Sequence, residues 1–204
     1  MMLYSKVSET ILGIDMDDLY TFVYKGVLTD ESLDKSGRRR RRNLGPEEGE
    51  RLRVALSYEM LDIELLSEAE RMSIIYTAIH AFENMVREFV KKAMTEAHKE
   101  TWWSKAPKKI SEKVKKRMDE EAKFRWHGAR GGSEIEYCDF GDLSSIIVTN
   151  WSVFEEILVD MEWVKSILSI LERSRNIVMH GSVLARQDIE RIGINIRDWV
   201  RQVG

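Results

Sequence analysis

Apolar residues recur every three or four positions through most of the chain, the period of a helix that buries one face. The pattern is clearest in SEAERMSIIYTAIHAFENMVREFVKKAMTEAHKE, residues 67–100. There Ile75, Ile79, Phe82, Val86, Phe89, Val90 and Ala93 form one stripe. Ser67 and Glu70 have capping-box spacing and predict the start of this helix. Upstream, PEEGERLRVALSYEMLDIELLSE opens with proline and acids, which suits a helix start. Downstream come a basic helix in PKKISEKVKKRMDEEAKFRWHG and a loop in GARGGSEIEYCDFGD. Helix resumes in DLSSIIVTNW and runs through SVFEEILVDMEWVKSILSILERSRNIVMHG. The last helix, SVLARQDIERIGINIRDWVRQVG, carries Ile189, Ile192, Ile196, Trp199 and Val200 as its stripe. The expected fold is all-α, an antiparallel helical bundle over residues 46–204 with the basic helix inserted.

Residues 1–45 break this pattern and are expected to form an N-terminal extension. SETILGIDMDDLYTFVYKGVL could give a short helix or two. TDESLDKSGRRRRRNLGPEEG reads as an exposed linker, in which Arg38 to Arg42 repel one another.

With 204 residues, the chain is long enough for one sizeable core. Two prolines and twelve glycines are too few for a β-sandwich rich in turns. A single cysteine, Cys138, excludes an internal disulfide and points to a reducing compartment, the cytoplasm. The N-terminus lacks a basic start and a long apolar run, so no signal peptide is expected. No stretch approaches the roughly 18 apolar residues of a membrane span.

The net charge of −3 conceals a strong asymmetry. Residues 91–130 hold thirteen Lys/Arg and six Asp/Glu, a net of +7, which leaves −10 for the rest. A local anionic partner is therefore compatible with an acidic protein, although a solvated helix face explains the same statistics. Lys108, Lys109, Lys115, Lys116 and Arg117 are the candidates for RNA contact. Trp102, Trp103 and Trp126 flank them and could stack unpaired bases, or simply pack. His80 lies on the apolar-rich side of its helix and is expected to be a packing residue. His98 and His127 lack metal spacing. Cys138 has no basic neighbour in sequence to activate it. GARGG lacks the Lys-Ser/Thr that follows in a P-loop.

The most informative stretch is LERSRNIVMHGSV, residues 171–183. On an ideal helix Val164, Ile167, Leu168, Leu171 and Val178 share a face, while Glu172, Asn176 and His180 line a separate polar stripe. Arg175 lies about 140° from His180. Gly181 is expected to end the helix at His180. These residue types suit metal-free RNA cleavage. The RNA 2′-hydroxyl is the nucleophile. Histidine can act as base or acid, arginine binds phosphate in a fork, and asparagine can orient either. The chemistry requires no metal and no cofactor. The same residues can also do no more than cap and brace a helix end. Glu83 and Arg87, one turn apart, can pair.

SRNIVMHG resembles the signature of the HEPN superfamily (higher eukaryotes and prokaryotes nucleotide-binding): an arginine, a polar residue and a histidine, here Arg175, Asn176 and His180. HAFENMVREFV resembles an earlier helix of that superfamily, with Glu83 and Arg87 in an E-x-x-x-R pattern. YCDFGDLSSIIVTNWSVFEEIL resembles the middle of the branch first noted beside a yeast nuclear endonuclease of RNA quality control. The resemblance covers residues 50–202, and the basic stretch lies outside the family's minimal bundle. It implies a helical bundle that dimerises, so that two motifs meet in one cleft. It also implies a metal-independent endoribonuclease acting on RNA as a homodimer, in a microbial defence or toxin–antitoxin setting with an antitoxin or regulatory protein as partner. In that role Glu83 would hold Arg175 or Arg87 toward the cleft. Members without activity imply the alternative, a dimerisation or RNA-binding module. A third reading is a helical interaction module whose partner docks on residues 1–45.

Overall fold

A computed structural model describes residues 16–35, 45–124 and 127–203. Arg38 to Arg42 and Trp126 lie outside the described residues. The chain divides into two compact units, residues 1–61 and 62–204. Among the described residues the regular elements are all helical, and no helix is long and apolar enough to cross a membrane.

The first unit holds α1 (Met16–Lys35), α2 (Pro46–Ala55) and a 3-10 turn at Tyr58–Met60. Pro46 begins α2 where its missing N–H is not needed, and Glu47 and Glu48 favour the positive end of the helix dipole. None of the α2 side chains is buried. On α1, Phe22, Tyr24, Val27, Leu28 and Leu33 are exposed.

The second unit holds α3 (Ile63–His98), α4 (Lys108–Glu121), α5 (Phe140–Thr149), α6 (Trp151–Leu158), α7 (Met161–Met179) and α8 (Arg186–Val203). The long helix α3 packs against α5, α6, α7 and α8, so it forms the spine of the bundle. Its predicted stripe is the stripe it buries: Ile75, Ile79, Phe82, Val86, Val90 and Ala93 are in the core, and Phe89 packs against them. Trp199 of α8 is fully buried at the centre. It stacks on Trp163 at 5.9 Å and meets Phe82 and Phe89 edge-on at 5.7 and 5.9 Å, geometries that aromatic quadrupoles favour. Ile192 is buried beside it on α8, whereas Ile189 and Val200 are exposed.

Three boundaries differ from the sequence reading. The helix predicted to begin at Ser67 begins at Ile63, because the Asp62 carboxylate accepts hydrogen bonds from the Glu64 and Leu65 backbone N–H groups at 2.9 and 3.2 Å. Ser67 is an interior helix residue. The stretch read as one helix from Ser152 to His180 is two. Val159 takes a positive φ of 59° with ψ −45°, and Asp160 then caps α7 through the Glu162 and Trp163 N–H groups. The loop read over GARGGSEIEYCDFGD contains a 3-10 turn, Glu134–Tyr137, that buries Ile135 and Tyr137. It delivers Asp139 as the N-cap of α5, where Asp139 and Asp142 each accept the other's backbone N–H.

The basic helix α4 is built into the bundle. Ile110 and Val114 are buried. Lys113 and Arg117 turn inward onto Asp139 and Asp142, with N···O distances of 2.7–3.1 Å.

Candidate active site

Arg175 stands on α7, four residues before the helix ends, beside the polar side of α3. Its Nε lies 3.6 Å from Glu83 Oε2. The other oxygen of Glu83 accepts a hydrogen bond from Arg87 at 3.1 Å. Glu83 is buried, so its charge depends on these two guanidinium groups. It therefore holds both of the arginines considered for it in the sequence.

Arg87 is a clamp rather than an open cation. Its Nε donates to the Ile135 carbonyl at 3.1 Å and its Nη2 to the Cys138 carbonyl at 3.0 Å. Its Nη1 donates to Asn84 Oδ1. Two N–H groups of one side chain thus tie α3 to the turn before α5, and two more hold that side chain to Glu83 and Asn84 on its own helix. Arg175 is held by fewer contacts, with Nη1 lying 3.4 Å from Asn176 Oδ1.

These groups line a polar cleft of about 580 Å³, together with Tyr76, His80, Arg117, Arg130 and Asp139. His80 is not the packing residue expected from its position. It is exposed and stacked on Tyr76, with ring centroids 5.6 Å apart and planes 22° from parallel. Its Nε2 lies 3.1 Å from Asn84 Nδ2. The sequence did hold a signal for this group. Tyr76, His80, Glu83, Asn84 and Arg87 recur at helical spacing beside the apolar stripe.

The wall opposite α3 is a dense ion-pair network. Burial works against the charge on Asp139. Hydrogen bonds from Arg117, the Asp142 backbone and Lys113 outweigh it and hold that carboxyl well below the usual carboxylate range. Burial likewise opposes the Lys113 charge, and the bonds to Asp142 and Asp139 overcome it, so its pKa is raised. Glu172 on α7 is shifted upward, first by burial and then by the negative charge of Asp139. Burial, reinforced by Asp142, pushes the Cys138 thiol up to about 12, which removes it as a nucleophile at neutral pH.

Arg117 is engaged in this network and donates also to the Tyr137 carbonyl. Of the five basic residues singled out for RNA contact, Lys108, Lys109, Lys115 and Lys116 are exposed. Trp102 and Trp103 are half-buried against the core in an edge-to-face pair, 5.3 Å apart.

His180 is the C-cap of α7 and is exposed. Gly181 follows at φ 74°. Its N–H donates to Val178 O, and Ser182 N–H donates to Ile177 O, both at 3.1 Å. This is a Schellman ending, which satisfies carbonyls the helix would leave open. His180 stands five residues beyond Arg175, about 7.5 Å along the axis. It is not among the residues lining the polar cleft; its neighbours Met179, Gly181 and Ser182 instead border an apolar groove of about 400 Å³ with Leu65 and Met72.

Among the described residues, no cluster of His, Cys, Asp and Glu could hold a metal ion. No curated protein and no solved structure matches the chain. The model of one family, Swt1-like HEPN, matches residues 77–204, a stretch that includes Glu83, Arg87, Arg175, Asn176 and His180. It covers more than half of the chain, so the protein belongs to the Swt1-like HEPN family.

Proposed function

We propose that this protein is a metal-independent endoribonuclease that acts as a homodimer. The observation that carries the reading is Arg175. It is a half-exposed guanidinium steered by buried Glu83 into a polar cleft, on the same helix that presents His180 to solvent.

In this mechanism the RNA 2′-hydroxyl attacks the adjacent phosphorus. One histidine takes the hydroxyl proton, and a second proton donor protonates the departing 5′-oxygen. Arg175 offsets the charge that builds on the phosphorane oxygens. Asn176, already near Arg175, keeps that side chain oriented. The products are a 2′,3′-cyclic phosphate and a 5′-hydroxyl.

One copy supplies a single motif histidine for two proton transfers. A second copy related by a two-fold axis would bring another His180 and another Arg175. Met179, Val183 and Leu65 are exposed apolar residues on the groove beside His180, which suits a self-complementary contact there.

The purified chain should cut RNA in the presence of EDTA and leave cyclic phosphate ends. His180→Ala should abolish cutting with an unchanged circular dichroism spectrum, because the side chain is exposed. Undiminished cleavage by that variant would overturn the mechanism. A non-catalytic RNA-binding module is the second reading, supported by the exposed lysines of α4. Salt-dependent RNA binding by a wild-type protein that cuts no RNA would select it.

A further inference from the structure

Three features meet at Tyr76 and His80. Their rings are stacked at 5.6 Å on consecutive turns of α3, and His80 is exposed. Both rings line the polar cleft that contains Arg175. Tyr76 also borders the apolar groove beside His180, so the ring pair sits where a charged surface passes into an apolar one.

The hydrogen bonds around His80 decide what its ring can do. Arg87 only donates, so the Asn84 side chain must turn its carbonyl oxygen toward Arg87. Its amide nitrogen then faces His80 Nε2 at 3.1 Å, with a second bond from the same nitrogen to the His80 carbonyl. Nε2 therefore accepts, and the neutral imidazole carries its proton on Nδ1. With Nε2 occupied and one face on Tyr76, His80 is poorly placed to take a proton from a substrate. What it offers is a fixed ring face and one N–H donor.

We propose that Tyr76 and His80 form a stacking platform for one unpaired nucleobase of the RNA, next to the phosphate that Arg175 would bind. This inference deepens the endoribonuclease reading and rests on it for the choice of RNA. Aromatic faces hold unpaired bases without strong sequence preference, and an adjacent guanidinium suits the neighbouring phosphate. Paired bases cannot offer a face, so the platform selects single strands. Tyr76 and His80 are positioning residues: they fix the strand, and the motif performs the chemistry. The stacking role considered for Trp102 and Trp103 passes to this pair.

The test uses a fluorescent single-stranded ten-nucleotide RNA, 2′-O-methylated throughout so that it cannot be cut, and the full-length protein. Binding is followed by anisotropy across a salt series. Tyr76→Ala removes one ring of the platform, and losing one base–aromatic stack should weaken binding by about 5- to 150-fold. Tyr76→Phe should bind like wild type, and Tyr76→Leu, which keeps the bulk, should behave like Tyr76→Ala. The slope of affinity against salt should not change, because no phosphate contact is removed. Equal affinity for Tyr76→Leu and wild type would overturn the platform, as would an altered salt slope or absence of single-strand binding by the wild type. Cleavage is not needed for this readout. Tyr76-dependent binding by a protein that cuts no RNA would leave the platform standing and remove the nuclease. Cleavage that is indifferent to Tyr76→Leu would do the reverse.

Discussion

Glu83 faces two arginines, and the structure predicts that they are unequal partners. At an effective dielectric of about 20, ion pairs at 3.1 and 3.6 Å each have a gross attraction of about 5 kcal/mol, so distance alone barely separates them. Solvent exposure does. The Arg87 side chain is 12% exposed and Arg175 is 35% exposed. The Arg87 contact is also a hydrogen bond, whereas 3.6 Å is beyond normal N–H···O range. A charge-assisted hydrogen bond of this kind contributes about 2 kcal/mol, and a half-exposed ion pair about 0.5 kcal/mol. Double-mutant cycles would measure this, with Glu83→Ala combined separately with Arg87→Met and Arg175→Met. Guanidinium unfolding would be followed by circular dichroism. Glu83→Ala alone should cost about 3 kcal/mol, toward the low end for removing one partner of a buried pair. The coupling should be several-fold larger with Arg87. Equal couplings, or a cost for Glu83→Ala below about 0.5 kcal/mol, would refute this account of the site. In the proposed nuclease this asymmetry would leave a weakly held Arg175 free to turn to an incoming phosphate while Arg87 keeps the cleft wall in place.

Two further predictions concern the frame around the site. Gly181→Ala should lower stability by about 1–2 kcal/mol, since φ is 74° while a Cβ would meet no atom within 4 Å; thermal melting checks this, and an unchanged Tm would contradict the backbone argument. Asp139 has a folded-state pKa below its unfolded value, so its stabilising contribution is complete above the ordinary carboxylate value of about 3.9 and fades as pH falls toward the depressed one. Asp139→Asn, which can still cap α5, should therefore melt below wild type at pH 7, with the gap narrowing below about pH 4; a gap independent of pH would exclude the ion-pair network as its source.

The helices were legible in the sequence because the signal is local. An apolar residue every three or four positions is enough to say which face of α3 or α7 is buried. The ends were less legible. Asp62 and Asp160 compete with other plausible caps, and Val159 has a positive φ, which a β-branched residue rarely adopts. The motif of Arg175, Asn176 and His180 could be read from eight consecutive residues, together with the family it resembles.

What the chain determined by itself was therefore its set of amphipathic helices, its motif and the residue types available for chemistry. Tertiary structure decided which polar side chains meet. Charge counting treats Lys113, Arg117 and Lys116 alike, yet the first two face Asp139 and Asp142 while Lys116 stays in solvent. Spacing shows that Glu83 can reach Arg87, but only the packing of α7 on α3 brings Arg175 to its other oxygen. Arg87 finds carbonyls 48 and 51 residues away, and through Asn84 it sets the tautomer of His80. A buried polar group must find its partner within the protein, and buried Asp142, buried Glu83 and the Arg87 guanidinium each find one on another element.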